Sequence, residues 1–150
     1  MEGLIIPAYH IAASAGAGAG VYFLSRSIPA SILLFITGVF IDLDHFPDYF
    51  REAGLNLDLK RFYCMCNNNI LKKAAVYLHS LEALLVFSAF MIFGPAQEWW
   101  VKGIFIGFAV HMLMDVFSNI SNPLAYFLAY RISIGFDTGK IWGPVKNQKS

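Results

Sequence analysis

The sequence predicts an all-α fold, a multi-pass transmembrane helical bundle of about four spans with an interfacial or re-entrant helix near the C-terminus. Three observations predict it. Apolar residues make up 57% of the 150 positions and charged residues only 14%, well away from the soluble norm. The apolar residues run together instead of recurring at helical spacing between polar ones, a pattern that suits lipid and not water. The basic residues gather in two places, the segment 46–73 and the region after Phe117. At this length the chain reads as one membrane-embedded domain over 1–150, with a loop at 46–73 and a polar tail at 137–150.

A spanning helix needs roughly 20 mostly apolar residues. Leu4 to Leu24 is the first candidate. Its run Ala15-Gly16-Ala17-Gly18-Ala19-Gly20 is weakly helical in water, but small residues let helices pack closely in a membrane, so the run reads as a packing face. A phosphate-cradling loop would need a strand-to-helix context and a Lys-Ser/Thr pair, and neither is there. No basic region precedes Leu4, so a removable signal peptide is not expected. Ile28 to Ile41 is a second, shorter span, and Pro47 is expected to end it near His45, because the residue before a proline avoids the α region. Ala74 to Phe93 is the third span and Trp99 to Phe117 the fourth. Pro123 to Phe136 carries Arg131 and is short for a crossing, which gives the interfacial or re-entrant assignment.

Orientation follows from Lys and Arg, which tend to stay in the cytoplasm. Arg51, Lys60, Arg61, Lys72 and Lys73 lie in the 46–73 loop, and Arg131, Lys140, Lys146 and Lys149 follow Phe117. The other two connections hold only Arg26 and Lys102. Four spans then place both termini and the long loop on the cytoplasmic side of the membrane, with Trp99 and Trp100 anchoring the opposite interface. The net charge of +1 and the lack of a basic stripe argue against a nucleic-acid partner. Cys64 and Cys66 fall in the loop and read as reduced thiols.

The polar residues inside or beside the apolar stretches are His10, Asp42, Asp44, His45, His79, Glu82, His111 and Asp115, and they include all four histidines of the chain. An Asp at the centre of a membrane helix costs roughly 2.5–3.5 kcal/mol, so such groups are seldom kept without a partner or a task. His10 starts the first span, Asp42 to His45 end the second, His79 and Glu82 open the third, and His111 and Asp115 close the fourth. The topology drawn from Lys and Arg puts all four clusters on one side. Asp42 and His45, His79 and Glu82, and His111 and Asp115 are three or four apart, so each pair shares a helix face. Carboxylates at the negative end of a helix call for a cation. This mixture of nitrogen and oxygen donors suits one or two divalent ions, zinc first and manganese or iron next, better than calcium. Each element also has a plainer reading: a lone buried histidine as a hydrogen-bonded core residue, Glu82 as an ion-pair partner, Asp48 as a loop carboxylate, and His111 with Asp115 as a structural pair.

The order His10, Asp42-Leu-Asp44-His45, His79-Ser80 and His111-Met-Leu-Met-Asp115 resembles the inner-membrane metal-dependent hydrolases of the YdjM-like type. The likeness runs from His10 to about Phe136 and takes in Asn122-Pro123 and Arg131-Ile-Ser-Ile-Gly135-Phe136. Members often carry a His-Arg-Gly before the His-Ser element, and here Asn69-Ile-Leu-Lys72-Lys73 stands in that place. More remotely, the order is similar to the zinc-dependent phospholipase C and P1 nuclease group. The resemblance implies metal-assisted hydrolysis of a phosphoester at the cytoplasmic face, with a phospholipid or lipid-linked phosphate as substrate. It implies His10, Asp42, His45, His79, His111 and Asp115 around the metal and Asp44 or Glu82 as proton acceptor. No Gly-x-Ser-x-Gly elbow surrounds Ser80, consistent with water as the nucleophile. Two other classes fit the same residues: a metal-ion or proton transporter, and a non-enzymatic protein whose metal locks its helices together.

Overall fold

The computed structural model describes residues 7–95, 98–118 and 122–143. Leu4 of the first predicted span and Lys146 and Lys149 of the tail lie outside them. Among the described residues every regular element is helical, apart from an isolated bridge between Lys73 and Asp137. The α-helices are α1 (Pro7–Ser25), α2 (Ile28–Phe40), α3 (Phe46–Ala53), α4 (Leu59–Asn67), α5 (Leu81–Phe93), α6 (Trp99–Ser118), α7 (Leu128–Ser133) and α8 (Thr138–Trp142). Two 3₁₀ turns, Ile41–His45 and Pro123–Tyr126, join α2 to α3 and lead into α7.

Local chemistry sets the boundaries. The Ser27 side chain accepts from the Ala30 amide and starts α2 with a proline in its first turn, and Ser80 does the same for α5 through the Ala83 amide. Contrary to the expectation from Pro47, the chain does not leave the helical path there. It tightens into the 3₁₀ turn and resumes as α3 with Pro47 in the first turn, where a missing N–H is harmless.

Glycines fix how the helices meet. A Cβ on Gly103 would strike the Ala30 carbonyl and one on Gly107 the Leu34 carbonyl, so α6 lies backbone to backbone along α2 and runs parallel to it. A Cβ on Gly38 would strike Ser14, and one on Gly18 would come within 3.3 Å of the Ser31 carbonyl, so α1 runs antiparallel to α2. Helix α5 packs antiparallel to α6, with Phe87 against Phe105 and Phe108. These directions bring the start of α1, the end of α2, the segment before α5 and the end of α6 to one end of the bundle. Val21, Ala30 and Leu34 form a small core near the other end, while Ile41, Val76, Phe108, Met112 and Tyr126 belong to a larger one below the polar end.

Among the described residues two helical stretches are long and apolar enough to cross a membrane, Ile28–Ala53 and Trp99–Phe117. Only 22% and 33% of their most apolar stretches are buried inside the molecule. Ile28, Ile32, Ile36 and Phe40 make an exposed apolar stripe along α2 at four-residue spacing. The third predicted span differs from expectation. Residues 74–80 are not helical, and α5 itself has 13 residues, roughly 20 Å of helix against about 30 Å of hydrocarbon. Pro123 to Phe136 holds a 3₁₀ turn and a six-residue helix, too short to cross. The described part of the tail, 137–143, forms α8, which buries Thr138 and Ile141.

Candidate metal centre

The polar end of the bundle collects six side chains from four segments. His10 comes from the second turn of α1, Asp42 and His45 from the 3₁₀ turn after α2, His79 from the segment before α5, and His111 and Asp115 from consecutive turns of α6. They form two groups that could hold a metal ion, His10–His111–Asp115 and Asp42–His45–His79, and within each the donor atoms lie within 4.8 Å of one another.

The two groups meet. His79 Nε2 lies 3.2 Å from Asp42 Oδ1, 3.2 Å from His111 Nε2 and 3.7 Å from Asp115 Oδ2. His111 Nε2 lies 3.3 Å from both Asp42 Oδ1 and Asp115 Oδ2. Four ligands bonded at about 2.0–2.1 Å to a tetrahedral zinc ion lie about 3.3–3.4 Å from one another, which is the scale of this cage. His10 flanks it, stacked on His111 at 4.2 Å between ring centroids and with Nε2 3.4 Å from Asp115 Oδ1. His45 flanks the other side, edge-on to His79 at 4.9 Å.

Tautomers decide what the cage needs. The carbonyl of Gly38 is a pure acceptor 2.9 Å from His111 Nδ1, so in a neutral ring the proton sits on Nδ1 and the Nε2 lone pair faces inward. Asp44 Oδ2 is 3.5 Å from His79 Nδ1 and holds that ring in the same sense. Two imidazole lone pairs and two carboxylate oxygens then converge with no proton between them. In that state the four atoms could hold a cation, and outer hydrogen bonds of this kind are the usual companions of metal-ligating histidines.

No family model, curated protein or solved structure matches this chain. The six side chains offer four imidazoles and two carboxylates, a donor set that fits a divalent transition metal and offers too few oxygens for calcium.

The remaining sequence candidates are placed differently. Asp44, read as a proton acceptor, takes a hydrogen bond from the Leu78 amide at 2.7 Å and braces His79 from outside the cage. Glu82, the other candidate acceptor, receives the Leu128 and Ala129 amides at 2.8 and 3.0 Å and caps the start of α7. Both carboxylates thus accept backbone amides, Asp44 beside the cage and Glu82 at the start of α7. Burial, with Asp42 and Asp48 nearby, pushes the Cys66 thiol up to about 12, so it stays protonated.

Several contributors are not evident from residue type. Gly38 acts through its carbonyl, and Tyr126 donates its hydroxyl to the Asp115 carbonyl at 2.8 Å, steadying the last turns of α6. Arg131 is 1% exposed and donates to the carbonyls of Ala75, Val76 and His79. The signal for Gly38 lies in spacing: Gly103, Gly107 and His111 recur every fourth residue, so the face that brings α6 onto α2 also carries His111.

Proposed function

We propose that this chain is a membrane-embedded, metal-dependent hydrolase of phosphoesters, related to the YdjM-like hydrolases it resembles. The observation that carries the reading is the convergence of His79 Nε2, His111 Nε2, Asp42 Oδ1 and Asp115 Oδ2 with their lone pairs aimed at one point. Zinc is the ion we assign to the cage, on its size and donor set. A zinc ion there would act as a Lewis acid toward a phosphoryl oxygen and lower the pKa of a bound water to about 7.

The protein's own groups divide the remaining work. Asp42 has 47% of its side chain exposed, against 0% for His111 and 14% for Asp115, so the cage opens on the Asp42 side. Substrate enters there. His45 stands beside His79 outside the four-donor cage and is placed to accept a proton from water at that opening. His10 offers a further nitrogen on the far side, where Asp115 Oδ1 turns toward it, and this pair is the position for a second ion.

The membrane reading assigns four spans to α1, α2, α5 and α6, with the short α5 crossing together with the non-helical segment 74–80 before it, and both termini cytoplasmic. The alternating directions of these helices and the exposed apolar stripe on α2 support it. A centre at one end of the bundle meets the bilayer at headgroup depth, which suits a phospholipid or lipid-linked phosphate and not a midplane transport site. The test is release of nitrophenol from bis(p-nitrophenyl) phosphate and of headgroup from phospholipid vesicles by detergent-purified protein. We expect turnover that a chelator abolishes, that zinc or manganese restores, and that His111→Ala lowers at least about 100-fold. Metal-loaded protein that releases nothing from either substrate contradicts the hydrolase reading.

A further inference from the structure

Residues 71–80 join α4 to α5 without regular structure, yet Leu71, Ala74, Ala75, Val76, His79 and Ser80 are buried. Buried backbone must find partners. Much of this strap finds them in side chains. Glu52 Oε1 accepts from the Lys72 and Lys73 amides at 2.6 and 3.2 Å, Asp48 Oδ2 from the Ala75 and Val76 amides at 2.6 and 3.3 Å, and Asp44 Oδ2 from the Leu78 amide. The three acids are four residues apart on a continuous helical path, so they form one row along which the strap's N–H groups hang.

Arg131 reaches the strap's carbonyls. Its Nη1 donates to Ala75 and Val76 at 3.0 and 2.9 Å and its Nη2 to His79 at 2.7 Å. Between these holds Val76 sits at φ +31°, a conformation that a β-branched residue rarely adopts. A strap in that state is shaped by its partners. Its last residues carry His79 into the cage.

We propose that Arg131, working against the Asp44–Asp48–Glu52 row, is a positioning residue that sets where His79 stands in the metal centre. The clamp joins three distant parts of the chain, so the centre is complete only when the C-terminal segment has docked. A planar fork serves this purpose because it satisfies three carbonyls from one side chain, which an ammonium cannot match in the same geometry. The proposal rests on the metal-centre reading for its functional meaning and on the hydrogen bonds alone for its structural content.

The experiment uses the full chain in detergent, first without metal. Amide exchange is followed over residues 71–80 and over the exposed 54–58 loop, and diethylpyrocarbonate labelling is read at each histidine by mass spectrometry. Wild-type protein should exchange the strap at least about tenfold more slowly than the loop. Arg131→Met should remove that protection and expose His79 to labelling while His10 and His111 stay protected, and Arg131→Lys should fall between. With zinc added, Arg131→Met should bind about 10–100-fold more weakly. Wild-type strap amides that exchange like the loop overturn the proposal even if no variant folds. So does an Arg131→Met protein whose His79 labelling and zinc affinity are unchanged. A protected strap in a wild type that binds no zinc removes the metal centre and leaves the clamp standing.

Discussion

His111 illustrates how little freedom a residue at this centre has. It is fully buried, its Nδ1 is committed to the Gly38 carbonyl, and its Nε2 faces two carboxylates and a second imidazole. Glu82 is the contrasting case, because its charge is spent on the first amides of α7. Glu82→Ala should therefore cost about 1 kcal/mol of stability, as the loss of a helix cap does, and leave metal content per chain unchanged. Thermal denaturation and elemental analysis of the same sample check both. The grouping of these residues was legible at this scale because histidine and aspartate are conspicuous in so apolar a chain. The roles of Asp44 and Glu82 were not, since each depends on a backbone amide more than 30 residues away in sequence. Residue type and local spacing carry no information about such partners.

At the scale of elements, the register between α2 and α6 delivers His111 to Gly38. Gly107 faces the Leu34 carbonyl with no room for a side chain, whereas a Cβ on Gly16 of α1 would meet open space. Gly107→Ala should push α6 away from α2, cost about 1–3 kcal/mol, and lower zinc content together with the melting temperature. Gly16→Ala should raise stability by up to about 1 kcal/mol through helix propensity and leave zinc content as it was. Equal behaviour of the two variants in the same melt and metal assay would contradict this account of the packing. The long apolar helices were legible because lipid-compatible runs of that length have few other uses. The start of α5 was misplaced by several residues, although Ser80 immediately before Leu81-Glu82 is a helix-start signal that could have fixed it. Pro47 misled for the opposite reason, since proline ends a helix from inside and is welcome in its first turn.

The whole molecule gathers its functional groups at one end and exposes apolar side chains along its length. The proposed topology, drawn from Lys and Arg, predicts an orientation: a cysteine at Leu57 in a Cys64→Ser, Cys66→Ser background should resist an impermeant maleimide in intact cells and react once the membrane is opened. Labelling in intact cells would invert the topology. The segment after Phe117 was the least legible part, because α7, α8 and the 3₁₀ turn before them are too short for periodicity to register. Their packing comes instead from long-range bonds such as Arg131 to His79 and Asn122 to Ile141.

The most direct test of the central claim is metal content per chain, measured by elemental analysis on detergent-purified wild type and on a His111→Ala, Asp115→Ala double variant. The account predicts one or two equivalents of zinc, manganese or iron in the wild type, retained through gel filtration and absent from a double variant of unchanged helical content. Wild type that stays empty after incubation with all three ions would contradict it, and the buried histidines would then be structural groups of the bundle.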